Sequence, residues 1–199
     1  MRCWSCASDT GEGPLCQGCG AVQPLPPGAS LFRVLGLQES WFLEARAVEE
    51  RFRELNRRLH PDKFAQKSPR ERRMSLEWTT QVNDAYRTLK DPLRRAMYLL
   101  KLQGLEVEKE TGGSAMQQVP PEFLEQVMEL REGLMDAKLE RDLDKVRVMA
   151  KDVRARKAGV EADLAAELGA WERTQARDAL ERAAQAVAIG RYYERFLEE

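Results

Sequence analysis

The sequence is poor in histidine and cysteine and has no long apolar run, and each of these shortages argues against certain classes of function. The 199 residues include one histidine and four cysteines, and every cysteine lies between positions 3 and 19. No apolar run approaches the roughly 18 residues that a membrane-spanning helix needs. The net charge of −1 gives the chain as a whole no attraction for nucleic acid or a membrane surface. We therefore expect neither kind of partner.

The N-terminus also lacks the apolar core of a secretory signal peptide. Because the chain begins almost directly with its cysteines, we expect a bacterial cytoplasm rather than an organelle. In that reducing compartment, four cysteines confined to one short segment favour a metal site over a disulfide framework.

Strand-like alternation is missing too, whereas helical spacing of apolar residues begins at Leu31 and continues to the C-terminus. The pattern predicts an all-α fold in three parts, a cysteine segment at 1–23 and helical domains at 30–105 and 118–199, with the boundary between the last two near 104–120. Helices are expected at about 31–36, 43–59, from 69 onward and at 93–102, followed by two or three long helices beyond residue 122. A helix break is expected near 158–160 and another near Gly169, although the glycines at both places are also compatible with a helix interior.

The start of the third helix has a specific local signal. Ser68 is a good capping residue, Pro69 suits the first helical position, and Glu71 completes a capping box. Pro61 should end the preceding helix, because a residue before proline avoids the α conformation.

The four cysteines form two Cys-x2-Cys pairs separated by nine residues. Cys3 and Cys6 with Cys16 and Cys19 have the spacing of two knuckles that converge on one tetrahedral ion. Four thiolates leave no open coordination position, so we expect a structural zinc ion, with iron as the other ion to consider. Two disulfides or a redox-active pair are the alternatives. A segment this short has too little core to fold unaided, so metal binding would supply its folding free energy.

The single histidine, His60, lies in a basic loop broken by proline. A lone histidine is more often an ordinary surface or core residue than a catalyst, since catalysis by histidine needs a nucleophile or an orienting carboxylate. The sequence offers no such nucleophile and no phosphate-binding glycine loop, so we expect no enzyme.

The loop contains HPDKF at 60–64, and NDAYRTLKDP follows at 83–92 in the next helix. With the helix–loop–helix spacing, these motifs carry a resemblance to the J domain of DnaJ-type co-chaperones. It implies that the loop docks on an Hsp70-class chaperone and stimulates its ATPase, with His60, Pro61 and Asp62 matching the family motif.

Basic side chains follow the helix that leads into this loop. Because successive residues turn by about 100°, Arg46, Arg53 and Arg57 share the face opposite the apolar stripe, and Lys63 follows in the loop. The alternative is that this face is an ordinary solvent-exposed helix surface, since two glutamates on the helix offset part of its positive charge. The resemblance implies that these residues meet an acidic patch on the chaperone and raise the association rate.

Two further stretches lead into the second half of the chain, LKDPLRRAMYLLKLQGLEVE at 89–108 and PPEFLEQVMELREGLMDAK at 120–138. They carry a resemblance to the HscB family, the co-chaperones of iron–sulfur cluster assembly. It implies a J-domain helical hairpin beside a C-terminal three-helix bundle, with an HscA/DnaK-type chaperone and an IscU-type scaffold protein as partners. Only some members of the family carry a cysteine segment. Its role is left open between bracing the J domain, contacting the scaffold, and sensing metal or redox state.

An acidic stripe crosses the first helix of this second half. Its members Glu125, Glu129, Glu132 and Asp136 are spaced four, three and four residues apart. Stacking like charges in this way costs a few tenths of a kcal/mol per pair, which hints at an external partner. The resemblance maps the scaffold-binding surface onto Leu124, Met128, Glu129, Glu132, Asp136 and Tyr192. Glu125 stands where some members have an apolar residue, and an ordinary amphipathic surface is the alternative.

Two other functions compete with an HscB-like adaptor. A general J-domain co-chaperone with a zinc module would share the loop but present unfolded clients in a broad apolar groove. A zinc-ribbon protein that binds nucleic acid would need basic and aromatic residues near the knuckles, where the sequence has few basic ones.

Overall fold

The structure, a computed structural model, describes residues 2–11, 13–105, 107 and 119–199. Over these ranges it contains seven α-helices and one 3-10 turn, and β pairing is limited to isolated bridges between Arg2 and Asp9 and between Leu15 and Val22. The predicted all-α fold is confirmed. The chain divides into two compact units, Met1–Asp91 and Pro92–Glu199. The sequence-based domain bounds stay predictions, and much of the expected boundary at 104–120 lies outside the described residues.

The first unit consists of the cysteine segment, three helices and the 3-10 turn. Helix α1 spans Leu31–Leu35, α2 spans Ala45–Leu59, the turn spans Pro61–Phe64, and α3 spans Pro69–Leu89. Both α1 and α2 pack on α3. Burial of each large apolar side chain contributes about 1.5–3 kcal/mol, and the core of this unit includes Phe32, Leu35, Val48, Leu55, Leu59, Trp78, Val82 and Leu89.

Hydrogen bonds made by residues at the start of α3 and within it hold the connection between α2 and α3 in place. The Ser68 hydroxyl accepts the Glu71 N–H and the Glu71 carboxylate accepts the Ser68 N–H, each at 3.3 Å, so the predicted capping box is confirmed. Such a cap stabilises a helix by about 1 kcal/mol. The hydroxyls of Ser75 and Thr79 both donate to the Leu59 carbonyl, at 2.6 and 3.2 Å. They satisfy a carbonyl that the end of α2 would otherwise leave without a partner.

The described residues of the second unit form four helices. Helix α4 spans Pro92–Leu102, α5 spans Pro121–Leu139, α6 spans Leu143–Thr174, and α7 spans Arg177–Glu198. Helices α6 and α7 share the most extensive packing, while α4 and α5 both pack on this pair. No described helix combines the length and apolar character of a membrane span. The core includes Leu93, Leu99, Leu100, Phe123, Leu134, Val153, Leu164, Leu168, Val187 and Phe196.

The helix breaks predicted near 158–160 and near Gly169 are wrong, and both glycines lie inside α6. The long helices end instead next to Arg141 and Gln175, which have left-handed φ values of 57° and 54°. Residues other than glycine rarely adopt this conformation, so the sequence carried no signal there. The result is a C-terminal set of three long helices, as the family resemblance implied.

Candidate functional site

The four cysteine sulfurs form one cluster. All four Sγ atoms lie within 4.8 Å of one another, and the Cys3–Cys19 and Cys6–Cys16 pairs are 3.6 and 3.7 Å apart. Thiolates about 2.3 Å from a tetrahedral ion would be about 3.8 Å apart, whereas a disulfide needs about 2.05 Å. The cysteines are free thiols, and the residues present fit a four-thiolate metal centre.

Two turns of matching geometry build this cluster. In the first knuckle (3–8) the Ala7 N–H donates to the Cys3 carbonyl at 3.0 Å, and in the second (16–21) the Gly20 N–H donates to the Cys16 carbonyl at 2.8 Å. The residue after the second cysteine of each pair is left-handed, with φ of 60° at Ala7 and 73° at Gly20. Each knuckle therefore turns its two thiols to the same side.

The thiol pKa values in the cluster diverge. Burial raises the pKa of Cys3, but hydrogen bonds from backbone N–H groups of the first knuckle and from neighbouring thiols lower it to about 6. Hydrogen bonds from Ser8 lower the pKa of Cys6. The Ala21 N–H lowers the pKa of Cys19, but the Cys6 thiol, burial and the other thiols raise it to about 11. The lowered pKa values of Cys3 and Cys6 favour the thiolate, which is the form in which cysteine binds a metal ion.

The His-Pro-Asp loop leaves α2 through the 3-10 turn. The His60 Nδ1 atom accepts the Asp62 N–H at 3.3 Å and lies 3.4 Å from the Asp62 carboxylate. Half of the His60 side chain and 89% of the Asp62 side chain are exposed, while Phe64 is buried and anchors the turn. The loop therefore presents its polar groups outward, as a surface that another protein can contact.

Basic side chains surround this loop. An open depression of about 460 Å³ is lined by Arg53, Asn56, Arg57, His60, Asp62 and Lys63. Of the predicted basic residues, Arg46 is not part of the lining and pairs with Glu50 at 2.7 Å, while Arg53 pairs with Glu49. Exposed ion pairs of this kind contribute little stability, so both arginines remain available to contact another protein.

Sequence reasoning missed Asn56. The residue lies four positions before His60, so it shares a helix face with the loop. That spacing alone could have identified Asn56, but its side chain is a neutral amide and so does not contribute to a pattern of charged residues. It adds a neutral hydrogen-bonding group to the lining of the depression.

The predicted scaffold-binding residues are presented by α5 and α7. On α5, 62% of Met128 is exposed, Leu124 is half-buried, and the three acidic residues Glu129, Glu132 and Asp136 are exposed. On α7, the Tyr192 ring meets Phe123 of α5 edge to face, with 5.7 Å between centroids. The structure thus brings Tyr192 next to the start of the α5 surface.

This surface is longer than the sequence reasoning proposed. Met135 and Leu139 are also exposed, to 64% and 72%. They follow Leu124 by 11 and 15 residues, which places them within about 60° of it around the helix axis at 100° per residue. The apolar stripe therefore continues along α5 toward its C-terminal end.

Comparison with known proteins matches the two halves to two family models. A model described as the DnaJ domain matches residues 30–98, and one described as the HSCB C-terminal oligomerisation domain matches residues 119–199.

Individual proteins match across both halves. The iron–sulfur cluster co-chaperone protein HscB of Mus musculus is 38% identical over 149 residues, which are 73% of this chain and 62% of that protein. The chain thus spans less than two thirds of the mouse protein's length. The co-chaperone protein HscB homolog of Cupriavidus taiwanensis is 37% identical, with 75% of this chain and 82% of that protein covered. The crystal structure of human co-chaperone protein HscB matches with a TM-score of 0.83 and 30% identity, and covers 100% of this chain and 95% of that one.

Proposed function

The chain belongs to the HscB family of co-chaperones, and on that premise we propose that it binds an IscU-type iron–sulfur scaffold protein and stimulates the ATPase of an HscA/DnaK-type chaperone. The result would be transfer of the cluster from the scaffold and maturation of the recipient protein. The observation that carries the proposal is the pairing of two surfaces in one chain. An exposed His-Pro-Asp loop stands beside a basic depression, and a separate helix presents an apolar and acidic stripe.

The chaperone-binding side of the proposal uses the loop and the face of α2 before it. His60, Pro61 and Asp62 would make the contacts that favour the hydrolysis-competent state of the chaperone. Arg46, Arg53, Arg57 and Lys63 would steer association with an acidic surface in a salt-dependent way. Hydrolysis itself takes place in the chaperone, so this chain acts as an activator and not as an enzyme.

The scaffold-binding side uses α5. Leu124 and Met128 would supply the apolar contacts, and Glu129, Glu132 and Asp136 would pair with basic groups of the scaffold at the rim. Tyr192 adds an aromatic edge from α7 through its contact with Phe123. Exposed methionines suit such a surface, because their flexible side chains adapt to a partner.

The cysteine cluster is proposed to hold a structural ion. Zn²⁺ is the ion that four thiolates at these distances favour, and Fe²⁺ fits the same donor set. With every coordination position taken by protein, the ion would stabilise the fold of 1–23 and offer no site for a reaction. Four thiols held in the reduced state suit a bacterial cytoplasm, which is the compartment that we propose.

The test of the scaffold surface is a double substitution, Leu124→Ala with Met128→Ala. Loss of two apolar contacts near the centre of an interface should cost about 2 kcal/mol or more, roughly a 30-fold weaker binding of the IscU-type scaffold by isothermal titration calorimetry. Leu76→Ala is the matched control, because Leu76 is an exposed apolar residue on α3. Equal affinity of the double variant and the control would remove α5 from the binding surface.

Selectivity separates this proposal from the alternative of a general J-domain co-chaperone. An adaptor should bind the folded scaffold and not a reduced, denatured model protein. A chain that binds the denatured protein as tightly as the scaffold would favour the general co-chaperone.

A further inference from the structure

Gln23 is a buried polar residue in direct contact with the cysteine cluster. Only 4% of it is exposed, and its side-chain Nε2 donates to the Ala21 carbonyl at 2.8 Å and to the Cys3 sulfur at 3.3 Å. Since both of these atoms accept hydrogen bonds, the amide must turn its NH₂ group toward the cluster. An N–H donor aimed at a ligand sulfur orients that ligand and stabilises its thiolate form.

The backbone of the same residue is bound to α3. The Gln23 carbonyl accepts the indole N–H of Trp78 at 2.8 Å, and the Gln23 N–H donates to the Pro14 carbonyl at 2.8 Å. Trp78 is 5% exposed and belongs to the core of the α2–α3 hairpin. One residue thus contacts a predicted metal ligand with its side chain and the hairpin core with its backbone.

A second contact ties the same segment to α3. The Trp4 indole N–H donates to the Val22 carbonyl at 2.6 Å, and the Arg70 guanidinium lies 4.3 Å from the centre of the Trp4 ring. Arg70 and Trp78 are eight residues apart, about 12 Å along α3 at 1.5 Å per residue. The cysteine segment is therefore attached to α3 at two separated points.

We propose that Gln23 is a positioning residue of the metal centre and that, through it, the bound ion braces the helical hairpin that carries the His-Pro-Asp loop. The inference rests on the proposed metal centre and selects one of the roles left open for the cysteine segment. If the ion and the hairpin are coupled through Gln23, the coupling is reciprocal. Metal binding then stabilises α3, and loss of the α3 contact weakens metal binding.

The first arm of the test measures Zn²⁺ affinity of the full chain by competition with a chromophoric chelator. Gln23→Met keeps the length of the side chain but removes its donor, and it should lower the affinity by about 10- to 100-fold, the usual effect of losing a hydrogen bond to a ligand. Gln38→Met is the control, because Gln38 is exposed and distant in sequence. Cobalt substitution gives a second readout, since the thiolate-to-metal absorption of Gln23→Met should shift while that of the control should not.

The second arm measures amide hydrogen exchange over residues 69–89, with Zn²⁺ bound and after chelation. Chelation should lower the protection of α3 in the wild-type chain by about tenfold or more, and Trp78→Phe should shrink that difference because it removes the indole donor but keeps an aromatic ring. Trp41→Phe, another buried tryptophan of the same unit, is the control.

The outcomes distinguish this inference from the proposal of a metal centre. A wild-type chain that binds no Zn²⁺ would overturn both. Unchanged Zn²⁺ affinity after Gln23→Met would overturn the bracing role alone. So would amide hydrogen exchange in α3 that is the same before and after chelation.

Discussion

Asp62 is a residue whose side chain contributes little to the fold and for which we propose a role in function. Its carboxylate is 89% exposed, and its contact with His60 is 3.4 Å long. The neighbours that hold the loop in place are the buried Phe64 and the Ser75 and Thr79 hydroxyls on the Leu59 carbonyl. The exposed carboxylate is therefore available to a partner, while other groups determine the position of the loop.

Replacement of Asp62 with asparagine isolates the charge. Asp62→Asn should abolish stimulation of the partner ATPase, because the loop keeps its shape but loses the anionic group that we propose the chaperone recognises. The free energy of unfolding should change by no more than about 0.5 kcal/mol, as is usual for exposed positions. Steady-state ATP hydrolysis and urea denaturation measure the two quantities. Asp163→Asn, an exposed position on α6, controls for net charge, and full stimulation by Asp62→Asn would exclude the loop as the activating surface.

The sequence predicted features of the site that depend on local spacing, but not those that depend on helix packing. Cys3, Cys6, Cys16 and Cys19 could be grouped because their spacing alone brings them together. The pairing of Arg46 with Glu50 is also local, because the two residues lie four positions apart on one helix. The exposure of Met135 could not be predicted in the same way, since it depends on which face of α5 is left open by packing against helices distant in sequence.

Helix boundaries show the same division between local and distant causes. The start of α3 was predicted because Ser68, Pro69 and Glu71 form a cap from adjacent residues. The breaks expected near 158–160 and Gly169 were wrong because a glycine inside a helix costs only about 1 kcal/mol. Packing of α6 along α7 outweighs that cost.

Two glycine substitutions test this account of the second unit. Gly159 lies inside α6 with nothing within 4 Å of an added Cβ, so Gly159→Ala should stabilise the chain by about 0.5–1 kcal/mol through helix propensity. At Gly190 of α7 an added Cβ would lie 2.7 Å from Leu93 of α4 and 3.3 Å from Val160 of α6. Overpacking costs about 1–3 kcal/mol, so Gly190→Ala should destabilise the chain by up to about 2 kcal/mol despite the same gain in propensity.

Thermal or urea unfolding of both variants against the wild type measures these shifts. A destabilising Gly159→Ala would mean that the helix breaks at that glycine, as the sequence alone had indicated. A Gly190→Ala variant more stable than the wild type would mean that α4 and α6 do not press on α7 at this position.

In the proposed function, the chain combines a loop that would activate one partner with a surface that would bind another. The loop alone does not distinguish an iron–sulfur adaptor from a general co-chaperone, because a J domain is common to both. What distinguishes the adaptor is that the scaffold is tethered near the chaperone while the loop acts. Tethering raises the effective concentration of the second partner and can increase apparent affinity by ~100-fold or more without any new contact.

The measurement that tests this claim most directly is steady-state ATP hydrolysis by the HscA/DnaK-type chaperone, with this chain alone, with an IscU-type scaffold alone, and with both. The account predicts synergy: stimulation by the two together should far exceed the sum of their separate effects. Leu124→Ala with Met128→Ala should abolish the synergy and leave the stimulation by the chain alone intact. Purely additive stimulation would contradict the adaptor function and leave a general J-domain co-chaperone.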